Sequence, residues 1–117
     1  MTSLTYEEVF EAAARIILIE ERSITISLNE NTLSIRFPTT RKLAEYLQIP
    51  HYYVLPYFGM MEKDGMITRV ERVGISTTEK GTKKLFKLMA TRFLKESKAI
   101  LGAALFEELR RRVGTDS

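Results

Sequence analysis

The chain has 117 residues, 44% of them hydrophobic, and a formal net charge of +3. This length supports one domain with a proper core and is too short for two ordinary domains. With no cysteine and a single histidine, the sequence excludes a disulfide framework, a thiolate metal site and a histidine cluster, and we expect no metal or cofactor.

Positive charge is concentrated in the last third of the chain. Residues 79–117 carry ten basic and five acidic groups, whereas residues 1–37 carry three and six. This asymmetry suits a polyanionic partner, although lysine-rich helices are also common as solvated surfaces.

The sequence offers no segment for a membrane or for secretion. The longest apolar run, residues 12–19, contains Arg15 and is too short to span a bilayer. Glutamates near the start argue against a signal peptide, so we expect a cytoplasmic protein without membrane contact. One glutamine and two asparagines in a chain that is 28% charged resemble thermophile composition.

The first predicted element is an amphipathic helix that runs to about Glu21. Residues 5–8 form a capping box, in which Thr5 and Glu8 satisfy free N–H groups reciprocally. An apolar stripe at helical spacing predicts core packing. Its members are Tyr6, Val9, Phe10, Ala13 and Ile17.

Residues 23–37 change to the alternating pattern of a β-hairpin. Residues 24–28 and 33–37 alternate apolar and polar side chains, and residues 29–31 have turn chemistry. The second strand would precede the next helix, and the first would either extend a sheet or serve a dimer contact.

Two short helical patterns stand back to back in residues 39–67. Their apolar faces comprise Leu43, Ala44 and Leu47 in the first and Val54, Phe58 and Met61 in the second. Ile49 suits the inner side of a tight corner, and Pro50 suits a helix start, where its missing N–H has no partner. Gly65 suits the C-terminal cap of the second helix. The pattern predicts a helix-turn-helix.

The same residues resemble a known family. Residues 43–67 match, without a gap, the phrase LA..L.V....V...L..L...GLI of winged helix-turn-helix regulators, the MarR-like and PadR-like group and their archaeal relatives. Residues 75–81, ISTTEKG, resemble the LT.KG phrase with which those proteins leave the wing. The resemblance implies one α+β domain over residues 1–117: a helix, a hairpin, the helix-turn-helix (39–67), a two-stranded wing (66–78) and a long C-terminal helix (79–113).

The resemblance also implies a DNA-binding site. The start of the second helix would meet a phosphate, the exposed face of the third would face the major groove, and the wing would lie against the minor groove. The residues at these positions are Thr39, Thr40, Arg41, Lys42, His51, Tyr52, Tyr53, Arg69 and Arg72. Because the third helix offers no Arg, Lys, Asn or Gln before Lys63, we expect little sequence discrimination.

A second interpretation of the third helix is a protein-docking surface. Its exposed positions are aromatic and apolar, which protein interfaces favour, and they include Tyr52, Leu55, Pro56 and Met60. Mid-helix Pro56 also removes a backbone donor. The sequence leaves the choice between double-stranded DNA and a protein partner open.

The last predicted element is one long helix, with a possible bend at Gly102 and a lysine stripe on one side. Beyond Lys98 its apolar residues cover most of the circumference, more than a small domain buries easily. Winged regulators of this kind dimerise through terminal helices, so we expect a homodimer. The expected interface residues are Ile100, Leu101, Ala104, Leu105, Phe106 and Leu109.

These observations predict a dimeric DNA-binding protein, either a transcriptional regulator or a chromatin- or replicon-associated factor. A winged-helix interaction module is the alternative. No catalytic constellation or Gly-rich phosphate loop is present, so we do not expect an enzyme.

Overall fold

The computed structural model of the protein describes residues 4–70 and 74–114. Within them the chain has an α+β fold with six α-helices and two small antiparallel sheets. In chain order the elements are α1 (Tyr6–Arg15), a π-helical segment (Ile16–Glu20), β1 (Ile26–Asn29), β2 (Thr32–Ile35), α2 (Thr40–Leu47), α3 (His51–Lys63), β3 (Ile67–Val70), β4 (Gly74–Thr77), α4 (Glu79–Thr91), α5 (Leu94–Leu101) and α6 (Ala103–Val113).

Helix α1 begins at the predicted capping box. The Thr5 hydroxyl accepts from the Glu8 N–H at 3.1 Å, and the Glu8 carboxylate accepts from the Thr5 N–H at 2.8 Å. The helix continues to about Glu21 as predicted, but its last turn is π-helical. A π-turn holds more residues than an α-turn, so consecutive side chains spread over a smaller arc. Ile16, Ile17 and Leu18 of this segment are all buried, as are Ala12, Ala13 and Ala14 in the preceding α-helical part.

Strands β1 and β2 form the predicted hairpin. Ile26 pairs with Ile35 and Asn29 with Thr32, and the two turn residues, Glu30 and Asn31, have φ of 48° and 71°. Positive φ at both central positions matches the right-handed twist of the strands. The chain beyond β2 then pairs with β4, because Arg36 bridges Ser76 and the Phe37 N–H donates to the Ile75 carbonyl at 2.8 Å.

Helices α2 and α3 are joined by the three residues of the predicted corner, 48–50. The Thr39 hydroxyl caps α2 by accepting from the Lys42 N–H at 3.1 Å. Gln48 ends α2 in the left-handed conformation, with φ 58°, and Pro50 precedes α3. Both predicted apolar faces reach the core, where Leu43, Val54 and Phe58 are buried.

Strands β3 and β4 pair antiparallel from Ile67–Thr77 to Val70–Gly74. Three buried hydroxyl contacts fasten this hairpin to the rest of the fold. Thr77 Oγ1 accepts from the Ile35 N–H at 2.8 Å and lies 2.7 Å from Thr82 Oγ1, which lies 2.9 Å from the Leu33 carbonyl oxygen. Because a buried polar group without a partner is costly, this chain of contacts ties β2, β4 and α4 together.

The predicted single helix over residues 79–113 is wrong. The chain leaves the helical path between α4 and α5 and again at Gly102, the predicted bend, where φ is 84°. Helix α6 turns back onto α4, and the rings of Phe106 and Phe86 stack with centroids 6.0 Å apart. The fold therefore completes its core with its own C-terminal residues, and Phe106, Leu109 and Val113 are buried there.

Candidate functional site

The predicted phosphate-binding residues lie at the start of α2, next to the start of α3. A hydrogen bond of 2.6 Å joins Thr40 Oγ1 to His51 Nε2 and holds the two first turns together. Thr39 is exposed and caps α2, so the N–H groups of Thr40 and Arg41 have no partner within the helix. The structure thus brings five of the nine predicted residues, 39–42 and 51, to one place.

The two cations in this first turn differ in their surroundings. Lys42 is paired with the carboxylate of Glu21, which follows the π-helical segment. Arg41 is exposed, and no carboxylate among residues 4–70 and 74–114 lies within ion-pair distance of it. Arg41 is therefore the cation of the α2 start that can meet an external anion without first breaking an ion pair.

The exposed face of α3 lies opposite its buried face. At 100° per residue, Tyr52, Pro56, Gly59 and Lys63 point directly away from the core side marked by Val54. Tyr52 is 63% exposed and Tyr53 53% exposed, and their ring centroids are 4.6 Å apart. The two exposed phenol rings are adjacent but tilted by 57° to each other, and they present two hydroxyl groups.

Helix α3 continues through Pro56, which lies on this exposed face. Proline has no N–H, so the carbonyl of Tyr52 lacks the donor that a helix normally supplies four residues later. Gly59, one turn further on, faces open space, since a Cβ there would meet no atom within 4 Å. The exposed face of α3 therefore has no protruding side chain at Gly59.

The wing residues of the predicted site lie apart from the first group. Arg69 on β3 forms an ion pair with Glu62 near the end of α3, with Nε 3.3 Å from the carboxylate. A rise of 1.5 Å per residue puts Glu62 about 16 Å along the axis from His51. Arg72 lies outside the described residues. Arg69 thus belongs to the far end of α3.

Two cations that the predicted site did not include lie at different places, Arg36 beside the start of α2 and Lys63 at the far end of α3. Arg36 is exposed where β2 bridges β4, and it lines a cavity together with Lys42. Lys63 is exposed on the same face of α3 as Tyr52. The helical period could have identified Lys63, whereas the position of Arg36 depends on a long-range strand pairing.

The predicted dimer residues do not form one exposed surface. Phe106 is fully buried and Leu109 is 9% exposed, because α6 packs on α4. Ile100 and Leu101 are half-buried, and Ala104 and Leu105 are exposed. The argument that a single small domain cannot bury these residues is wrong for Phe106 and Leu109.

Comparison with known proteins finds no family model, no curated protein and no solved structure that matches this chain. Within residues 4–70 and 74–114, no cluster of three or more potential ligand side chains could hold a metal ion. No helix in the same ranges is both long and apolar enough to cross a membrane.

Proposed function

We propose that this protein is a winged helix-turn-helix protein that binds duplex DNA, as a dimeric transcriptional regulator or a chromatin- or replicon-associated factor. Its DNA contacts are dominated by phosphates and discriminate little between sequences. The observation that carries the proposal is the hydrogen bond of 2.6 Å between Thr40 and His51, which joins the first turns of α2 and α3 beside the exposed Arg41.

The order of the elements supports the winged-helix arrangement. Helices α2 and α3 follow β2, and the β3–β4 hairpin comes directly after α3. The isolated bridge between Arg36 and Ser76 joins the chain just after β2 to β4, which supports a position of the first hairpin next to the two-stranded wing. Strand β1 is then an addition on the outer side of β2.

The proposed contacts follow from the chemistry of each group. Free N–H groups and the helix dipole at the start of α2 attract a phosphate, and Arg41 adds a charged donor. The phenol hydroxyls of Tyr52 and Tyr53 donate to phosphates, and their rings contact thymine methyl groups. The exposed face of α3 has no side chain before Lys63 that makes a bidentate contact with guanine or adenine, so affinity depends little on sequence.

The proposed protein is a homodimer, and its interface contains fewer residues than the sequence predicted. Ala103, Ala104 and Leu105 at the start of α6 are exposed, and Leu105 is 48% exposed. A two-fold axis beside these residues would bury them against their own copies. Phe106 and Leu109 would support that surface from within the core.

A second candidate function is a protein-docking module. Three large side chains on the third helix favour it, since Tyr52, Leu55 and Met60 are 63%, 41% and 45% exposed. Exposed aromatic and methionine side chains are enriched in protein interfaces. In that case a side chain of the partner protein, and not DNA, would fill the space beside Gly59.

A salt titration with mixed duplex DNA tests the proposal. We expect the logarithm of the affinity to fall linearly with the logarithm of salt concentration, by about 0.9 for each phosphate contacted. Arg41→Gln should weaken binding and reduce that slope by about one contact. Arg111→Gln is the matched control, because it removes the same charge from an exposed position on α6.

The same variants separate the two candidate functions. Absence of binding even at low salt, with the protein folded, would reject the DNA-binding proposal and favour protein docking. Equal slopes for wild type and Arg41→Gln would reject the assignment of the α2 start. Leu55→Ala should leave the DNA affinity unchanged, because Leu55 matters chiefly for docking a protein. This variant is then the negative control in a search for a protein partner.

A further inference from the structure

A cavity of about 190 Å³ lies between the end of the π-helical segment, the base of the β1–β2 hairpin and the start of α2. This volume corresponds to roughly six water molecules at their share of the liquid. The walls come from chain segments far apart in sequence, among them Ser23, Thr25, Arg36 and Thr39. The cavity is therefore a product of the tertiary fold and is distinct from the aromatic face of α3.

The cavity has a net positive lining. Arg36 and Lys42 are its cations, and Glu21 is its single carboxylate. Glu21 is paired with Lys42, whereas no described carboxylate lies within ion-pair distance of Arg36. Arg36 therefore offers its guanidinium donors to an anion in the cavity, and the planar fork of guanidinium suits a phosphate group.

The remaining lining groups suit the rest of an organic phosphate. Ser23 and Thr25 carry hydroxyl groups, which donate to and accept from the hydroxyls of a sugar. Phe37 and Pro38 close the floor of the cavity, but both are buried and the Phe37 ring packs on Phe10 and Phe58, so the ligand is held mainly by polar groups. The carboxylate of Glu21 accepts hydrogen bonds, and it also disfavours ligands that carry several negative charges around the ring.

We propose that this cavity binds a small phosphorylated sugar, with Arg36 holding the phosphate, Lys42 adding positive charge from within its ion pair with Glu21, and the hydroxyls of Ser23 and Thr25 facing the sugar. The proposal does not depend on DNA binding, because it concerns a free small molecule and is measured without DNA. Arg36 takes part through its side chain alone. Its backbone pairing with Ser76 would be unchanged by a substitution that keeps the β-strand conformation.

Calorimetric titration of the full chain with D-ribose 5-phosphate tests this proposal, with inorganic phosphate and D-ribose as separate probes. We expect saturable binding of ribose 5-phosphate, weaker binding of phosphate and none of ribose. Arg36→Gln should weaken the binding about ten-fold or more, as expected for loss of a charge-assisted hydrogen bond. Arg111→Gln, an exposed cation on α6 outside the cavity, should leave it unchanged.

Amide chemical shifts locate the site independently. On addition of ribose 5-phosphate, the largest shifts should fall on Thr25, Arg36 and Thr39, and the folded spectrum of Arg36→Gln shows whether the variant retains the fold. Binding that survives unchanged in folded Arg36→Gln would overturn the proposal, as would equal affinity for inorganic phosphate and ribose 5-phosphate.

A duplex DNA titration distinguishes the two sources of a phosphate. If none of the small probes binds and Arg36→Gln weakens DNA binding, the cavity is part of a DNA interface and the proposal of a sugar phosphate is overturned. If ribose 5-phosphate binds as expected, the site is assigned to the free ligand whatever the DNA result.

Discussion

A Cβ added to Gly81 would lie 1.9 Å from the carbonyl oxygen of Met66. Gly81 is buried in the first turn of α4, and the Met66 carbonyl is held in place by the Thr78 N–H at 3.0 Å. The backbone of the segment between α3 and β3 therefore packs directly against the first turn of α4, and only glycine fits between them.

Gly81→Ala should lower the free energy of unfolding by about 1–3 kcal/mol, the usual cost of overpacking. The sign of this change in unfolding free energy is informative, because alanine is otherwise favoured over glycine in a helix interior. Urea unfolding monitored by circular dichroism measures the change. An equal or higher stability would mean that the contact between Met66 and the first turn of α4 relaxes freely.

Gly59→Ala is the matched control and should have the opposite sign. Gly59 is also helical, but a Cβ there would meet no atom within 4 Å. Alanine should therefore raise the free energy of unfolding by about 0.5–1 kcal/mol, through a lower entropy cost of folding. A destabilised Gly59→Ala variant would contradict the open surroundings of this position.

Thr82→Val should lower the free energy of unfolding by about 1–3 kcal/mol. Valine keeps the shape of the side chain but removes the hydroxyl that lies 2.7 Å from Thr77 Oγ1 and 2.9 Å from the Leu33 carbonyl oxygen. Thermal unfolding measures the loss. Thr82→Ser, which keeps the hydroxyl, should lose less; a serine variant that is as unstable as the valine variant would assign the effect to packing instead.

The buried phenol of Tyr6 should make the fold sensitive to alkali. Burial raises the pKa of Tyr6 above its ordinary value of 10.0, and the charges of Asp64 and Glu7 raise it further. A raised pKa in the folded state contributes stability that is complete below pH of about 10 and is lost as the pH rises through the folded value.

Tyr6→Phe should therefore lose less stability than the wild type between about pH 9 and pH 11. Urea unfolding at a series of pH values measures the difference. Parallel pH profiles for wild type and Tyr6→Phe would show that other groups cause the alkaline loss.

Phe106→Leu should destabilise the monomer, because Phe106 is fully buried and stacks on Phe86 with centroids 6.0 Å apart. The loss in unfolding free energy should be about 1 kcal/mol or more. Leu105→Ala should change it by less than about 0.5 kcal/mol, as expected for an exposed position. Light scattering on both variants then tests the proposed dimer. Leu105→Ala should shift the monomer–dimer equilibrium toward the monomer, and Phe106→Leu should leave this equilibrium unchanged.

Local signals in the sequence predicted the local structure well. The capping box at Thr5 and Glu8, the corner at residues 48–50 and the hairpin turn at Glu30 and Asn31 all form as predicted, because each depends on residues close together in the chain. The apolar faces of α2 and α3 follow from the helical period in the same way.

Features that depend on distant residues were missed or mistaken. The final helix reads as one periodic segment, and its division is understood only from the contact of Phe106 with Phe86, twenty positions earlier. The cavity beside Arg36 and Lys42 combines three separate parts of the chain, and no local pattern marks it. The strict requirement for glycine at position 81 likewise comes from the backbone of Met66.

Pro56 influences which chemical groups can cover the exposed face of α3, and it does so through a backbone carbonyl. The Tyr52 carbonyl, left without its helical donor, lies on an exposed face where water is its available partner in the free protein. A partner that covers this face must replace that water with a donor of its own or lose the desolvation energy of a peptide carbonyl, about 1–3 kcal/mol. Phosphate oxygens only accept, so they fit the start of α3, where backbone N–H groups are free, whereas its middle suits an amino, amide or hydroxyl group.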